Sequence, residues 1–207
     1  MSRWNDKIAE HAIYLENFIS KRYSTEAQEE LFKKEHNGRG MFEYIPLTMR
    51  DFLEQMNVAM GFLAEHPASK YPDGIHFIDV GCGIGGKVKL AYDVFGYHDL
   101  RITGIEYAPH YVEIAQQLCQ SKKNPKYGPT IIQGDARKHD YSTYHIVYFY
   151  CPMMDHDGEV ELEKQIFSTI RKNTIVIANG MKTLHKEVQA MGMKNLWGRN
   201  HWVKAKG

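Results

Sequence analysis

The stretch that decides the fold is residues 76–87, His76-Phe77-Ile78-Asp79-Val80-Gly81-Cys82-Gly83-Ile84-Gly85-Gly86-Lys87. The apolar run that ends at Val80 is typical of a buried parallel strand. After the glycines, apolar residues recur at helical spacing over 88–95. A strand, a glycine-rich turn and a helix in this order predict the opening of a nucleotide-binding βαβ unit.

The glycines and acids around this turn indicate what it binds. Gly81 and Gly83 have no Cβ, so a ligand can approach the backbone closely, and Gly86 lets the helix pack against the strand. Asp79 ends the strand, where a carboxylate repels a pyrophosphate and attracts a cation. A second predicted strand, 102–106, ends in an acid 20 residues past Gly86, which is the usual place of an acceptor for ribose hydroxyls.

Two short motifs carry a family resemblance. Asp-Val-Gly-Cys-Gly-Ile-Gly-Gly at 79–86 and Gly-Ile-Glu-Tyr-Ala at 104–108 resemble motif I and the acidic motif that follows it in class I S-adenosylmethionine-dependent methyltransferases. The resemblance runs from about residue 44 to the C-terminus and is strongest over 77–152. It implies an α/β fold, a doubly wound, mostly parallel, seven-stranded Rossmann-like sheet, with S-adenosylmethionine as the cofactor.

The resemblance also implies a set of binding residues. Glu106 binds both ribose hydroxyls, because one carboxylate can accept two hydrogen bonds, and Tyr107 lies against the adenine ring. Asp135 and Ala136, within Gly-Asp-Ala, contact the adenine amino group and a ring nitrogen. The full implied set is Asp79, Gly81, Cys82, Gly83, Gly85, Glu106, Tyr107, Asp135, Ala136 and Tyr150. The alternatives are a half-buried aromatic at Tyr107 and a surface-turn aspartate at Asp135.

A further segment precedes the glycine-rich turn. Tyr44, Pro46 and Thr48 form Tyr-x-Pro-x-Thr, which resembles the pre-motif segment of non-SET protein lysine methyltransferases. The resemblance implies that this segment closes over the methionine end of the cofactor. The alternative is an ordinary Tyr-Pro turn before a core helix, which Thr48 and Asp51 predict to run to about residue 64.

The acceptor side is predicted after the fourth strand, 145–150. Ligands of doubly wound sheets lie beyond the carboxyl ends of strands, which places Tyr150 to Met153 beside the transferred methyl group. The Asn/Asp-Pro-Pro-Tyr/Phe motif of base-modifying enzymes is absent from this position, so a nucleic acid acceptor is disfavoured. We interpret Cys151 as a small buried thiol rather than a nucleophile. Tyr44 and Tyr150 are the catalytic candidates, as groups that orient a protein lysine or a small molecule.

No metal site is predicted. Asp155-His156-Asp157 are adjacent on a loop and cannot easily converge on one ion. Asp157 is instead predicted to be the N-cap of the next helix.

The chain divides into two parts. Residues 1–40 form a predicted helical extension, with helices over about 6–20 and 24–34, that either caps the methyl-transfer side or is a packing appendage. Residues 41–207 form the methyltransferase domain. After a fifth strand and a short helix, the domain ends in a hairpin over about 195–206.

Bulk properties limit partners and compartment. The chain has 207 residues and a formal net charge of +1, so no strong field favours nucleic acid or acidic membranes. Its three cysteines lack metal-ligand spacing, which indicates reduced thiols and a cytoplasmic protein. We expect no membrane span, and a monomer or a small homo-oligomer.

The sequence is compatible with three functions. The first is an S-adenosylmethionine-dependent methyltransferase. The second is an NAD(P)-dependent oxidoreductase on a related sheet, against which Asp79 and the terminal hairpin argue. The third is a catalytically silent protein that binds S-adenosylmethionine or a partner.

Overall fold

The computed structural model describes residues 2–23, 48–65, 74–96, 100–120, 128–153, 155–196 and 200–205, and in the first helix the side chains of 7–17 only. Tyr44, Pro46 and the predicted helix over 24–34 lie outside the described residues. The helices are α1 (Ser2–Tyr23), α2 (Met49–Ala64), α3 (Gly86–Phe95), α4 (Pro109–Cys119), α5 (His156–Thr169) and α6 (His185–Ala190), with a 3₁₀ helix at Ala136–Lys138. The strands are β1 (Ile75–Val80), β2 (Leu100–Glu106), β3 (Thr130–Gln133), β4 (Ile146–Tyr150), β5 (Ile175–Asn179), β6 (Met193–Asn195) and β7 (His201–Lys204).

The strands form one seven-stranded sheet in the order β3-β2-β1-β4-β5-β7-β6. Neighbours from β3 to β5 are parallel, and β7 is antiparallel to both β5 and β6. The doubly wound, mostly parallel, seven-stranded sheet is therefore confirmed. The strand order reverses between β1 and β4, and such a switch point opens a crevice beyond the carboxyl ends of the two strands.

Helices cover both faces of the sheet, as the continuous apolar runs of β1 and β4 require. Alternate residues such as Phe77 and Tyr148 pack under α1 to α4, and their neighbours Ile78 and Phe149 pack on the opposite face under α5 and α6. All four side chains are fully buried.

Helix α1 is anchored to the neighbouring helices. Ala12 and Leu15 are buried in the core, Glu16 Oε1 accepts a hydrogen bond from the N–H of Met49 at 2.6 Å, and His11 Nε2 lies 2.6 Å from Asp93 Oδ2 on α3. The described part of the extension therefore packs against α2 and α3.

Two helix starts test the capping predictions. The Thr48 hydroxyl accepts from the N–H of Asp51 at 3.1 Å, as predicted for α2. The predicted cap of α5 is wrong, because Asp155, and not Asp157, accepts from the N–H of Gly158 at 2.9 Å. Asp157 lies in the first turn, where an acid also favours the helix dipole, so the two acids look alike in sequence.

The terminal hairpin is confirmed as the antiparallel pair β6 and β7. Strand β5 begins at Ile175, after a turn in which Asn173 has a φ of 68°. No helix in the described part of the chain is long and apolar enough to cross a membrane.

Candidate functional site

The glycine-rich turn leaves β1 at the switch point and forms the centre of the candidate site. Gly81, Gly83 and Gly85 have φ values of 72°, 55° and 80°, which side-chain-bearing residues adopt only at a cost. The N–H groups of Gly81 and Cys82 both donate to the carbonyl of Ile105, at 2.9 and 3.0 Å. The N–H of Gly85 donates to the carbonyl of Cys82 at 3.0 Å. The turn thus uses its own donors to hold itself against β2.

Two of these glycines are needed for protein packing. A Cβ on Gly81 would stand 2.8 Å from Cβ of Pro152, and one on Gly85 would stand 3.0 Å from Cβ of Ala115. The space that the sequence analysis assigned to a ligand at Gly81 is therefore filled on its Cβ side by the segment after β4. Any cofactor contact of Gly81 is through its backbone and stays a prediction.

We expect Gly81→Ala to destabilise the fold by about 2 kcal/mol or more, because it adds left-handed strain to a steric clash. Urea unfolding followed by circular dichroism measures this. Gly61→Ala is the matched control, because a Cβ there meets nothing within 4 Å and alanine is the better helix former by about 0.5–1 kcal/mol. Equal stability of wild type and Gly81→Ala would contradict the close approach to Pro152.

Glu106 connects the turn to the end of β2. Its Oε2 accepts from the N–H of Gly83 at 2.9 Å, and its Oε1 accepts from the N–H groups of Tyr107 and Ala108 at 2.8 and 2.9 Å. Burial raises the pKa of Glu106, and these hydrogen bonds act in the opposite direction because they favour the charged form. Each carboxylate oxygen has two lone pairs, so Oε2 keeps one free acceptor site for a ligand hydroxyl, and acceptance from a second hydroxyl requires the release of one backbone N–H.

Asp79 is buried within range of the positive charge of a lysine that the sequence did not single out. Its side chain is 3% exposed and Lys87, the second residue of α3, is 7% exposed. Burial raises the pKa of Asp79 to about 6, while the positive charge of Lys87 acts to lower it. Burial lowers the pKa of Lys87, and the charge of Asp79 opposes that shift. Lys87 Nζ also lies 5.8 Å from the centre of the Tyr148 ring, and Tyr148 is the β4 neighbour of Asp79.

Asp135 is held by an arginine beside the predicted adenine position. Its Oδ1 accepts from Arg137 Nε at 3.0 Å and its Oδ2 from Arg137 Nη2 at 2.9 Å, a bidentate pair. Hydrogen bonding to Arg137 holds the pKa of Asp135 below its usual value. Tyr107 is 43% exposed, which leaves its ring available to a ligand. Ala136 begins the 3₁₀ helix that Asp135 caps.

Tyr150 lies at the carboxyl end of β4, next to a network of amides. It is the register partner of Asn179 on β5. Asn179 Oδ1 accepts from Gln55 Nε2 and from Asn200 Nδ2, both at 2.8 Å, and its Nδ2 donates to Gln55 Oε1 at 3.0 Å. The network joins α2, β5 and the β6–β7 connection beside Tyr150, and none of these amides carries charge.

In the described part of the chain, no group of three His, Cys, Asp or Glu side chains is placed to hold an ion. Cys82, Cys119 and Cys151 are free thiols. Burial raises the pKa of Cys82 and that of Cys119, so both are neutral packing groups rather than nucleophiles.

With this geometry established, comparison with known proteins gives the family. The model of a methyltransferase domain family matches residues 72–204. The chain belongs to this methyltransferase family. The match covers every strand of the sheet, and together with the sheet order it confirms the prediction of a class I methyltransferase.

Solved structures show weaker likenesses. An RNA methyltransferase from Salinibacter ruber, in complex with S-adenosyl-L-homocysteine, is 19% identical over 73% of this chain and 92% of its own, with a TM-score of 0.46. The magnesium protoporphyrin IX methyltransferase from Synechocystis PCC 6803, with bound S-adenosylmethionine, is 16% identical over 90% and 93%, with a TM-score of 0.49. A search of curated protein sequences found no match.

The methyltransferase site contains polar residues that sequence reasoning missed. Lys87, Arg137 and the amides around Asn179 all lie beside predicted site residues. Lys87 had a weak signal, since the helix dipole disfavours a cation at the start of a helix and a nearby acid offsets that cost. The amide network had no sequence signal, because Gln55 and Asn179 are 124 residues apart in the chain.

Proposed function

We propose that this methyltransferase holds S-adenosylmethionine in the crevice between β1 and β4 and transfers its methyl group to a protein lysine or a small molecule. The observation that carries the proposal is the use of hydrogen-bond donors in the glycine-rich turn. The N–H groups of Gly81, Cys82, Gly83 and Gly85 all donate to protein acceptors. A turn that binds pyrophosphate needs such donors free, so this turn suits a cationic sulfonium better than a dinucleotide.

The surrounding charges support the same ligand. Asp79 and Glu106 place two carboxylates at the ends of neighbouring strands. Glu106 is proposed to accept from the ribose hydroxyls and Asp79 to face the methionine end. Asp135, held by Arg137, is proposed to accept from the adenine amino group, with Ala136 donating from its backbone to a ring nitrogen.

Tyr150 is proposed to orient the acceptor, because it lies at the carboxyl end of β4 beside the amide network of Asn179. Tyr44, outside the described residues, keeps the same proposed role. The sulfonium supplies an already activated methyl group, so the protein contributes by alignment and by exclusion of water.

Calorimetric titration of S-adenosylmethionine, S-adenosylhomocysteine and NAD tests the cofactor. We expect both methionine-derived ligands to bind and NAD to give no heat of binding. Binding of NAD alone would favour the oxidoreductase instead, and it would show that the donors of the turn are released on binding.

Transfer of a labelled methyl group into lysate fractions separates an enzyme from a silent binding protein. We expect label in the protein or the small-molecule fraction and none in nucleic acid. Cofactor binding without any transfer would support the silent alternative.

Two further properties stay proposals. The free thiols support a reducing compartment such as the cytoplasm. A monomer or small homo-oligomer is proposed, and sedimentation velocity measures it.

A further inference from the structure

Helix α5 carries two carboxylates on the side that packs against the rest of the protein. Glu159 and Glu163 are four residues apart, so they lie one above the other on the helix, and both are 0% exposed. Burial of an ionised acid is costly unless hydrogen bonds or opposite charges compensate it. Hydrogen bonds compensate one of the two and not the other.

Glu163 is compensated by the segment that follows β5. Its Oε1 accepts from the N–H of Lys182 at 2.7 Å, and its Oε2 accepts from the N–H of Thr183 at 2.6 Å. Short bonds of this kind stabilise an ionised carboxylate. Glu163 therefore holds this segment against α5.

Glu159 lacks such bonds. Neither of its carboxylate oxygens has a hydrogen-bond partner within the described residues, and the same is true of the Thr183 hydroxyl. Thr183 is 4% exposed, and its N–H donates to Glu163. Buried acceptors without partners are rare in proteins, and they mark a place that a donor from elsewhere can fill.

This place lies at the carboxyl edge of the sheet. Cys151 directly follows β4 with a φ of 40°, and its pKa is raised first by burial and then by the negative charge of Glu159. A Cβ on Gly180 would clash with Sγ of Cys151, so the segment after β5, which Glu163 bonds two residues further on, contacts the residue after Tyr150. Met153 packs over the first turn of α5, with its Cε 3.1 Å from where a Cβ on Gly158 would stand. Met153 thus packs beside the turn of α5 that carries Glu159, and a methionine side chain is flexible enough to move.

We propose that Glu159 binds the cationic amino group of the methyl acceptor, and that the acceptor is therefore an amine. This inference rests on the proposed function and narrows its substrate class. Of the two buried carboxylates, Glu159 is the one whose oxygens have no hydrogen-bond partner within the described residues, and it lies beside the segment where the acceptor is expected.

Proton transfer to Glu159 prepares such an acceptor. An ammonium ion has no lone pair and cannot attack a methyl group. When a proton moves from the ammonium to a Glu159 oxygen, the N–H bond breaks, an O–H bond forms, and the bonding pair stays on nitrogen. Glu159 is a suitable base, because burial and the charge of Glu163 raise its pKa to about 7, with Lys182 acting in the opposite direction.

The test measures Glu159 itself. In protein labelled with ¹³C at glutamate carboxyls and loaded with S-adenosylhomocysteine, the Glu159 signal is assigned with Glu159→Gln and titrated with pH. The groups facing it are Glu163 on the same helix, Cys151 after β4 and Lys182 after β5. We expect a midpoint near pH 7 without ligand, and a shift of that midpoint to lower pH with n-butylammonium, a mimic of a lysine side chain. Butan-1-ol, of the same length and without charge, should leave the midpoint unchanged.

Two variants separate binding from structure. Glu159→Gln should lose the effect of butylammonium, whereas Glu161→Gln, which lies on the same helix with its side chain 67% exposed, should keep it. A raised folded-state pKa means that stability is fully present below about pH 4.5 and is lost as pH rises through about 7. Glu159→Gln should therefore unfold at higher urea than wild type above pH 7, and this advantage should shrink towards pH 4.5.

The outcomes are distinct. If S-adenosylhomocysteine binds but butylammonium moves neither the midpoint nor the Glu159 signal, the amine site is overturned and the proposed methyl transfer stands. If S-adenosylhomocysteine does not bind, both are overturned. If the stability difference appears without the butylammonium shift, Glu159 is only a strained buried acid and the amine site is also overturned.

Discussion

Glu106→Ala should weaken binding of S-adenosylmethionine by about 1–3 kcal/mol, which is about 5- to 150-fold in Kd. The structure gives this mutation two effects. It removes the proposed acceptor for the ribose hydroxyls, and it frees the N–H groups of Gly83, Tyr107 and Ala108, which all donate to this side chain. The glycine-rich turn then loses a bond that fixes its shape. Calorimetric titration measures the affinity, and thermal unfolding measures the accompanying loss of stability.

Two further variants separate these effects. Glu106→Gln keeps the size of the side chain and one oxygen, but its amide N–H₂ must face a backbone donor, so we expect an intermediate loss of affinity. Glu113→Gln, an exposed acid on α4, should leave affinity unchanged. Unchanged affinity in Glu106→Ala would mean that the ribose lies elsewhere.

Asp79→Asn should destabilise the fold by about 3–5 kcal/mol, because it removes the carboxylate that offsets the charge of buried Lys87. Two buried opposite charges add little net stability, but loss of one of them leaves the other buried charge without compensation for its lost hydration. Lys87→Met alone should also destabilise, because Asp79 then loses its cation. Urea unfolding at pH 7 measures all variants.

The double variant Asp79→Asn/Lys87→Met makes this prediction specific. If the two charges interact, the double variant should be more stable than either single variant, with a coupling energy of about 1–3 kcal/mol. Additive losses would show that Lys87 is stabilised by other groups. Cofactor affinity in the double variant then reports the direct contribution of Asp79, without the confounding charge of Lys87.

Much of the fold could be predicted because the decisive signals are local. The apolar run of 75–80, the glycines after it and the helical spacing of 88–95 specify strand, turn and helix within a few residues of each other. Thr48 likewise caps α2 locally, because its hydroxyl accepts from an N–H only three residues further along the chain. The predicted cap of α5 was wrong because the sequence pattern fits Asp155 and Asp157 equally well. Only the position at which the helix begins in the structure distinguishes them.

The site was less predictable, because its partners come from distant parts of the chain. Gly81 is packed by Pro152, Asn179 is bonded by Gln55, and Glu163 holds the segment after β5. None of these pairs shares a periodicity or a spacing that the sequence could display.

The sequence by itself determined the succession of strands and helices along the chain, the glycine-rich turn with its flanking acids, and the family. These features depend on residues that are close to each other in the chain. Only the tertiary structure decided how the turn uses its donors, which cation accompanies Asp79 and which of two buried acids lacks hydrogen-bond partners among the described residues. The physical reason is that hydrogen bonds, charges and burial are settled by groups that meet in space, and the parallel sheet brings together residues more than a hundred positions apart.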